Sequence, residues 1–467
     1  MSKLTHFLRS VLAGPLALAF LDYCIAYVAI IVALKLAPKF RVDILEGIAP
    51  NTQLFSFWFV LPVLTVIGAH ISGLHNHLQI RSRLRIIALS AITPVIGLIF
   101  FGVFFAIVQF ELLGRVVSGL YWLLAFGGIA FSRLFAWSYQ SGAIHRIMVF
   151  GEQSNYFSMQ NRLYATRLPL RVVGFTNTKR NAEGGSYEDE GKTGFLRPAD
   201  MPLAEFFEKM EVDEVLVDTP HELSEGDRDG LMTCMARGIR VMNLNYFFER
   251  RLLQVFSSNL SENWFWSQDP VYFHPFFFAA KRAVDLFLSL CGLLCLVPVF
   301  PFLALAIKLQ DGGPIFYRQT RCGQYNQPFT IYKLRTMRQD AEKDGAAWAQ
   351  KGDCRVTRLG RFLRKTRFDE TPQFWNVLKG DMSFIGPRPE RPEMIDEIEE
   401  EVPNYSYRHL VKPGITGWAQ INYGYGASIA DARKKLDYDL YYLKYASVVL
   451  EIQILLGTVV AMVKGAR

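Results

Sequence analysis

Apolar residues crowd into four long runs near the start of the chain, at about 11–36, 54–74, 86–109 and 112–138. Each holds roughly the 20 residues that a hydrocarbon core of about 30 Å requires of a helix. The pattern therefore predicts four transmembrane helices within residues 1–140. Lys3 and Arg9 precede the first run, Arg81, Arg83 and Arg85 lie between the second and third, and Arg146 follows the fourth. Basic flanks mark the cytoplasmic side. Lys39 and Arg41 lie on the opposite side, but Asp43 and Glu46 accompany them. Asp22 is the main ionisable group inside the runs. A transport pathway usually needs more such groups, so an anchor is the better reading.

After the fourth run the pattern changes to that of a small α/β module, residues 141–250. Short apolar stretches at 146–151, 170–175, 212–217 and 239–242 read as buried parallel strands. The first meets a turn, Gly151-Glu152-Gln153-Ser154-Asn155-Tyr156, with a single glycine. A dinucleotide site of the Rossmann kind needs three glycines there, and Glu152 would repel a pyrophosphate. A structural or regulatory Rossmann-like module is favoured over a working cofactor site. The polar stretch 176–198 reads as an exposed loop. Residues 251–280 form an aromatic linker containing Trp264, Trp266, Tyr272, Phe273, Phe276, Phe277 and Phe278.

A fifth apolar run, 283–307, follows Lys281-Arg282 and contains Pro298 and Pro301. Hydropathy alone reads it as another span. Proline lacks the helical N–H and breaks the helix, so a segment that enters one leaflet and returns is the alternative. Asp285 with Lys281 or Arg282 would close such a segment at the headgroups. A last apolar helix, 446–463 with Glu451 inside, reads as lying on the membrane.

The net charge of +8 among 467 residues fits an anionic membrane surface or phosphorylated substrates. Nucleic acid is not expected, because the chain carries no basic tail, zinc spacing or nucleic-acid motif. None of the six cysteines forms a CxxC pair, as expected of reduced, cytosol-facing thiols.

The candidate chemistry lies between residues 313 and 390. Lys333 and Arg335, two apart in a β-type stretch, would face the same way on a strand. Arg355, Arg358, Arg361, Arg364 and Arg367 recur every third residue with no acid among them, a basic stripe suited to phosphate oxygens. Asp369-Glu370-Thr371-Pro372 then reads as a helix start, with Phe374, Trp375, Val377 and Leu378 on its apolar face. Taken alone this is ordinary acidic capping. The crowding arginines, and the frame Gly386-Pro387-Arg388-Pro389 with one more, favour a carboxylate that attacks phosphorus or holds magnesium.

These pieces resemble the bacterial sugar transferase family, the monotopic polyprenyl-phosphate hexose-1-phosphate transferases. The likeness is carried by Lys281-Arg282-Ala283-Val284-Asp285, Gly313-Pro314-Ile315-Phe316-Tyr317-Arg318-Gln319, Tyr332-Lys333-Leu334-Arg335-Thr336-Met337, the run 364–383 around the acidic pair, Gly386-Pro387-Arg388-Pro389 and Lys412-Pro413-Gly414-Ile415-Thr416-Gly417-Trp418-Ala419-Gln420. The spans and the α/β module resemble the family's large subgroup.

The resemblance implies a multidomain membrane protein. It would comprise a four-helix transmembrane bundle, the Rossmann-like module and a mainly α monotopic catalytic domain at 281–467, with a re-entrant broken helix at 283–307. Asp369 would attack a UDP-hexose, glucose being favoured, expel UMP and hold the sugar phosphate covalently. Glu370 would assist the incoming undecaprenyl phosphate, and Mg2+ near Asp369 would offset charge. Lys333, Arg364 and Arg388 match positions that contact phosphate or nucleotide, and Arg335 joins them as a substrate-binding candidate. The product would start an exopolysaccharide or other lipid-linked glycan at the cytoplasmic face of the bacterial inner membrane. A homodimer is compatible with the large anchor.

Three positions depart from the family pattern. Val297-Pro298 replaces its usual Ser-Pro, Thr371 its leucine after the acids, and Arg367 its serine before them. The alternative reading is a non-catalytic scaffold or regulator of polysaccharide export, against which the intact acidic pair argues.

Overall fold

A computed structural model describes residues 15–36, 59–74, 83–108, 115–140, 145–151, 170–176, most of 180–257 and, apart from short breaks, 274–339 and 355–463. The chain divides into two units, Met1–Leu252 and Leu253–Arg467.

The first unit opens with helices α1 (Pro15–Leu36), α2 (Leu61–Ile71), α3 (Arg83–Val108) and α4 (Arg115–Gln140). Three contain stretches long and apolar enough to cross a membrane: Ala17–Leu36, Ile86–Val103 and Val116–Ala136. Of the four spans expected, three are thus matched among the described residues by helices of sufficient length and apolarity. The second segment is described as an apolar helix of 11 residues, and 54–58 lie outside the described residues. The basic and acidic flanks at 3–9, 39–46 and 81 also lie outside them.

Between these helices Arg133 of α4 pairs with Asp22 of α1, both buried. A charge in a hydrocarbon setting needs such a partner, and this pair locks the first helix to the last. Further polar contacts follow the same logic: Ser72 meets Thr93, and the indole of Trp122 donates to the Ala91 carbonyl.

A mainly parallel seven-stranded sheet follows. Its strands are β1 (His145–Phe150), β2 (Leu170–Thr176), β3 (Arg180–Asn181), β4 (Gly185–Asp189), β5 (Lys192–Pro198), β6 (Glu214–Val217) and β7 (Arg240–Asn243). The order is β3-β5-β2-β1-β6-β7, with β4 antiparallel on β5. Helices α5 (Leu203–Lys209) and α6 (Glu225–Ala236) connect the later strands, and Phe206, Phe207 and Leu231 join Met148, Val215 and Val217 in one core. The four strands expected from apolar runs are present. The stretch 176–198, expected as a loop, instead forms β3, β4 and β5. The cause is tertiary: Phe195 packs against the module core, and ladder pairing fixes edge strands whose polar side chains gave no periodic signal. The turn beyond Gly151 lies outside the described residues.

The second unit is built around two neighbouring helices, α7 (Pro275–Leu296) and α8 (Phe300–Asp311), bent by 63° at the Val297-Pro298-Val299 break. Pro298 lies in the break and Pro301 in the first turn of α8, as the loss of helical N–H groups requires. Leu290, Leu294, Val297, Phe302 and Leu305 are exposed on this hook. Both of its legs nevertheless pack on one frame. Gly292 of α7 lies against the Phe374 ring, while Phe300, Leu303 and Ile307 of α8 pack with Leu334, Leu359, Leu363 and Phe368.

The expected closure of the hook by its own charges does not occur. Each charge instead ties α7 to another element. Lys281 Nζ reaches Glu451 at 2.7 Å on the last helix. Arg282 donates to the Val377 and Leu378 carbonyls. Asp285 accepts from the Phe384 amide at 2.9 Å.

The frame contains the antiparallel pair β8 (Phe316–Cys322) and β9 (Pro328–Leu334), helices α9 (Arg358–Thr366) and α10 (Gln373–Lys379), strand β10 (Ser383–Ile385) and α11 (Pro392–Glu401). Strand β11 (Gly414–Thr416) runs parallel to β10, and α12 (Trp418–Asn422), α13 (Ile429–Tyr445) and α14 (Val448–Val463) complete the unit. Trp418, Tyr405, Leu436, Leu440, Tyr442 and Ile454 lie in its largest core. Val255, before the hook, and Phe277, in the first turn of α7, belong to that core as well.

Candidate active site

Helix α9 starts where the Thr357 hydroxyl accepts from the Gly360 amide, a side-chain cap. It ends at Arg367, whose φ of +60° is left-handed without a glycine. That reversal turns the chain into a short 3-10 segment, Phe368–Glu370, before Pro372 leads into α10. The two acids therefore sit in the elbow between helices, in a conformation disfavoured for arginine.

Both acids are 8% exposed, yet their surroundings differ. Glu370 is fully engaged. Its Oε1 accepts from Lys333 Nζ at 3.2 Å and Arg388 Nη2 at 2.7 Å, and its Oε2 lies 3.5 Å from Arg367 Nη1. Burial alone would raise this carboxyl, but Arg388, Lys333 and Arg367 outweigh it and hold the carboxyl well below the usual carboxylate range. Asp369 Oδ1 is buried without a hydrogen-bond partner. Burial and then the neighbouring Glu370 charge raise its carboxyl, against the opposing pull of Lys333, Arg364 and Arg367. Burial likewise lowers the Lys333 ammonium, with Glu370 opposing.

The site thus gathers Asp369, Glu370, Lys333 and Arg388. Arg364 is nearby but committed, its Nε donating to Thr336 Oγ1 at 2.9 Å. Arg335 does not share the direction of Lys333. Strand β9 ends at Leu334, and Arg335 Nε donates to the Pro314 carbonyl at 2.8 Å. The basic stripe is helical only from Arg358 to Arg364; Arg355 precedes α9 and donates to the Ala341 carbonyl.

Some supporting residues lay outside the sequence reading. Asn376, buried in α10, mimics a strand neighbour: Tyr332 N donates to its Oδ1 at 3.2 Å, and its Nδ2 donates to the Thr330 carbonyl at 2.7 Å. This fixes Lys333 against the acids. An asparagine inside a helix was the available signal, because its amide competes with helical hydrogen bonding. The loop bearing Arg388 is locked against the Lys412-Pro413-Gly414 turn. A Cβ on Gly414 would lie 2.1 Å from the Gly386 amide nitrogen, so no larger residue fits there.

An acid with a free oxygen beside a carboxylate held among three cations makes a setting suited to an anionic group. The chain belongs to the bacterial sugar transferase family, which matches residues 276–465. It is 41% identical over 235 residues to a UDP-N-acetylgalactosamine-undecaprenyl-phosphate N-acetylgalactosaminephosphotransferase of Aeromonas hydrophila, covering 50% of this chain and 55% of that protein. It is 42% identical over 181 residues to the UDP-glucose:undecaprenyl-phosphate glucose-1-phosphate transferase of Escherichia coli K12, covering 38% and 39%. An exopolysaccharide production protein of Rhizobium leguminosarum is 44% identical over 187 residues, 39% of this chain and 94% of its own length.

Proposed function

We propose that the protein transfers a sugar 1-phosphate from a UDP-sugar to undecaprenyl phosphate, beginning a lipid-linked glycan. The observation that carries this reading is the unequal pair: Glu370 has both oxygens engaged by cations, while Asp369 keeps Oδ1 free. In the proposed first step an Asp369 oxygen attacks the donor's β-phosphorus. The bond from that phosphorus to the bridging oxygen breaks, and its electron pair leaves with UMP. In the second step an oxygen of the lipid phosphate attacks the same phosphorus, forming the diphosphate and releasing the Asp369 carboxylate. The attacking oxygen is an anionic one of the lipid phosphate; Glu370 assists by holding Arg388 and Lys333, which face the phosphate charge.

Mg2+ fits the donor set as a proposal. The described residues contain no group of three or more metal-ligating side chains. Magnesium is commonly held by one or two carboxylates together with substrate phosphates, and Asp369 Oδ1 is a buried carboxylate oxygen without a partner. Bound there, it would neutralise charge on the diphosphate.

The bent α7–α8 pair supports a re-entrant rather than a crossing segment, since both legs pack on the same frame. A re-entrant segment accords with the further proposal that the reaction takes place at the cytoplasmic face of the inner membrane. The relatives' names divide between N-acetylgalactosamine and glucose. A panel of UDP-glucose, UDP-galactose and UDP-N-acetylhexosamines with undecaprenyl phosphate tests the reading. At least one donor should give UMP together with a lipid-linked sugar diphosphate. Release of UDP instead would contradict the proposed chemistry.

A further inference from the structure

The Arg388 loop has two prolines, at 387 and 389, and so two fewer amides with which to hold itself. Its carbonyls are held from outside, one after another. Gly414 N donates to Pro387 O at 2.8 Å, Arg321 Nη1 to Pro389 O at 3.1 Å and Cys322 N to Glu390 O at 2.9 Å. The carbonyl of Arg388 itself accepts from Arg408 Nη2 at 3.0 Å.

Arg408 lies in a 3-10 segment, Tyr405–Leu410, and is 1% exposed. Its Nη2 lies 2.7 Å from Asp439 Oδ2 on α13, its Nε donates to the same oxygen at 2.9 Å, and its Nη1 donates to the Tyr405 hydroxyl at 2.6 Å. Asp439 is also 1% exposed. A buried ion pair of this kind seldom stabilises a fold better than well-packed apolar side chains. Its geometric consequence is specific here. The guanidinium spans from a core helix to the backbone of the residue whose own guanidinium holds Glu370 at 2.7 Å.

We propose that Arg408, oriented by Asp439, is a positioning residue that fixes the Arg388 backbone and, through it, the contact with Glu370. This rests on the proposed transfer reaction for its kinetic consequences, but not for its structural one. Glu370 is faced by Arg388, Lys333 and Arg367 and adjoins Asp369. If Arg388 shifts away, Glu370 loses its shortest ionic contact, at 2.7 Å, and only Lys333 and Arg367 still hold it.

The experiment uses the full chain in lipid nanodiscs with Arg408→Gln and the charge-keeping Arg408→Lys. Hydrogen exchange reads the loop amides between Gly386 and Arg391 without any substrate. Exchange there should accelerate in both variants. For turnover, kcat should fall by about ten- to a hundredfold, the range seen when a partner that orients a site from behind is lost. KM for the UDP-sugar should change little, a split that separates positioning of the site from loss of donor binding. In an Arg388→Ala background Arg408→Lys should cost nothing further, since the two act as one unit. Unchanged loop exchange in Arg408→Lys would overturn the proposal. So would multiplicative losses in the double variant, or a lysine variant that does not fold, which would mark Arg408 as a core residue. A wild-type protein inactive with every donor would instead count against the transfer reaction, while the exchange data still decide the role of Arg408.

Discussion

Asp369→Asn should abolish turnover while leaving the protein folded. The substitution keeps the shape of the side chain and removes only its charge and nucleophilicity. Asp369 Oδ1 has no partner to lose. Burial and the adjacent Glu370 raise its carboxyl in the folded state. An acid raised on folding destabilises the fold increasingly as pH rises through that value, so asparagine should leave thermal stability at neutral pH unchanged or higher. Turnover, by contrast, should fall to background, on the scale of the about 10⁶-fold losses that follow removal of a nucleophile. Measuring UMP release and the melting temperature on one preparation separates the two effects. A stable variant with appreciable activity would remove Asp369 from the proposed role.

Glu370→Gln should reduce both rate and stability, for a reason visible in its contacts. The carboxylate is the shared counter-charge of Lys333, Arg388 and Arg367. Glutamine would leave these cations facing one another at a largely buried position. The loss should stay below the about 3–5 kcal/mol found for fully buried pairs, because Lys333 and Arg388 keep part of their surface in water. Its pH dependence has a definite sign. A carboxyl depressed in the folded state contributes stability that is present above its unfolded pKa of about 4.3 and disappears as pH falls below it. The melting difference between wild type and Glu370→Gln should therefore be full at neutral pH and shrink below about pH 4. The rate should fall by about 10²–10³, the usual cost of losing one preorganised electrostatic contact. A variant that melts like wild type at pH 7 would contradict the account of the site's electrostatics.

Much of this was legible in the chain because the signals are local. Runs of about 20 apolar residues announce membrane helices whatever surrounds them. The strands at 145–150, 170–176, 214–217 and 240–243 followed from short buried apolar runs. The acids, Arg388 and Lys333 were legible as neighbours of proline, glycine and arginine, and the structure brings all four together.

The misses have a common cause: pairing over long sequence distances. Strands β3 and β4 pair with β5, and β5 joins them to β2, so their partners rather than a periodic pattern define them. Arg335 parts from Lys333 because the strand stops one residue before it, a boundary that periodicity does not fix to a single position. Asp285 could be matched with its neighbours Lys281 and Arg282, whereas its partner is the Phe384 amide 99 positions away. Arg408 and Asp439 stand 31 apart and face each other only after α13 has packed. The left-handed turn at Arg367 carries no glycine or asparagine to announce it.

The central claim concerns a bond between an Asp369 oxygen and phosphorus, and intact-mass analysis of the full chain with donor alone tests it most directly. Wild-type protein given an active UDP-sugar without undecaprenyl phosphate should gain the mass of one sugar phosphate, peptide mapping should place it on Asp369, and adding the lipid should remove it. Continued product formation with acceptor present, from protein that never carries this adduct, would contradict the account.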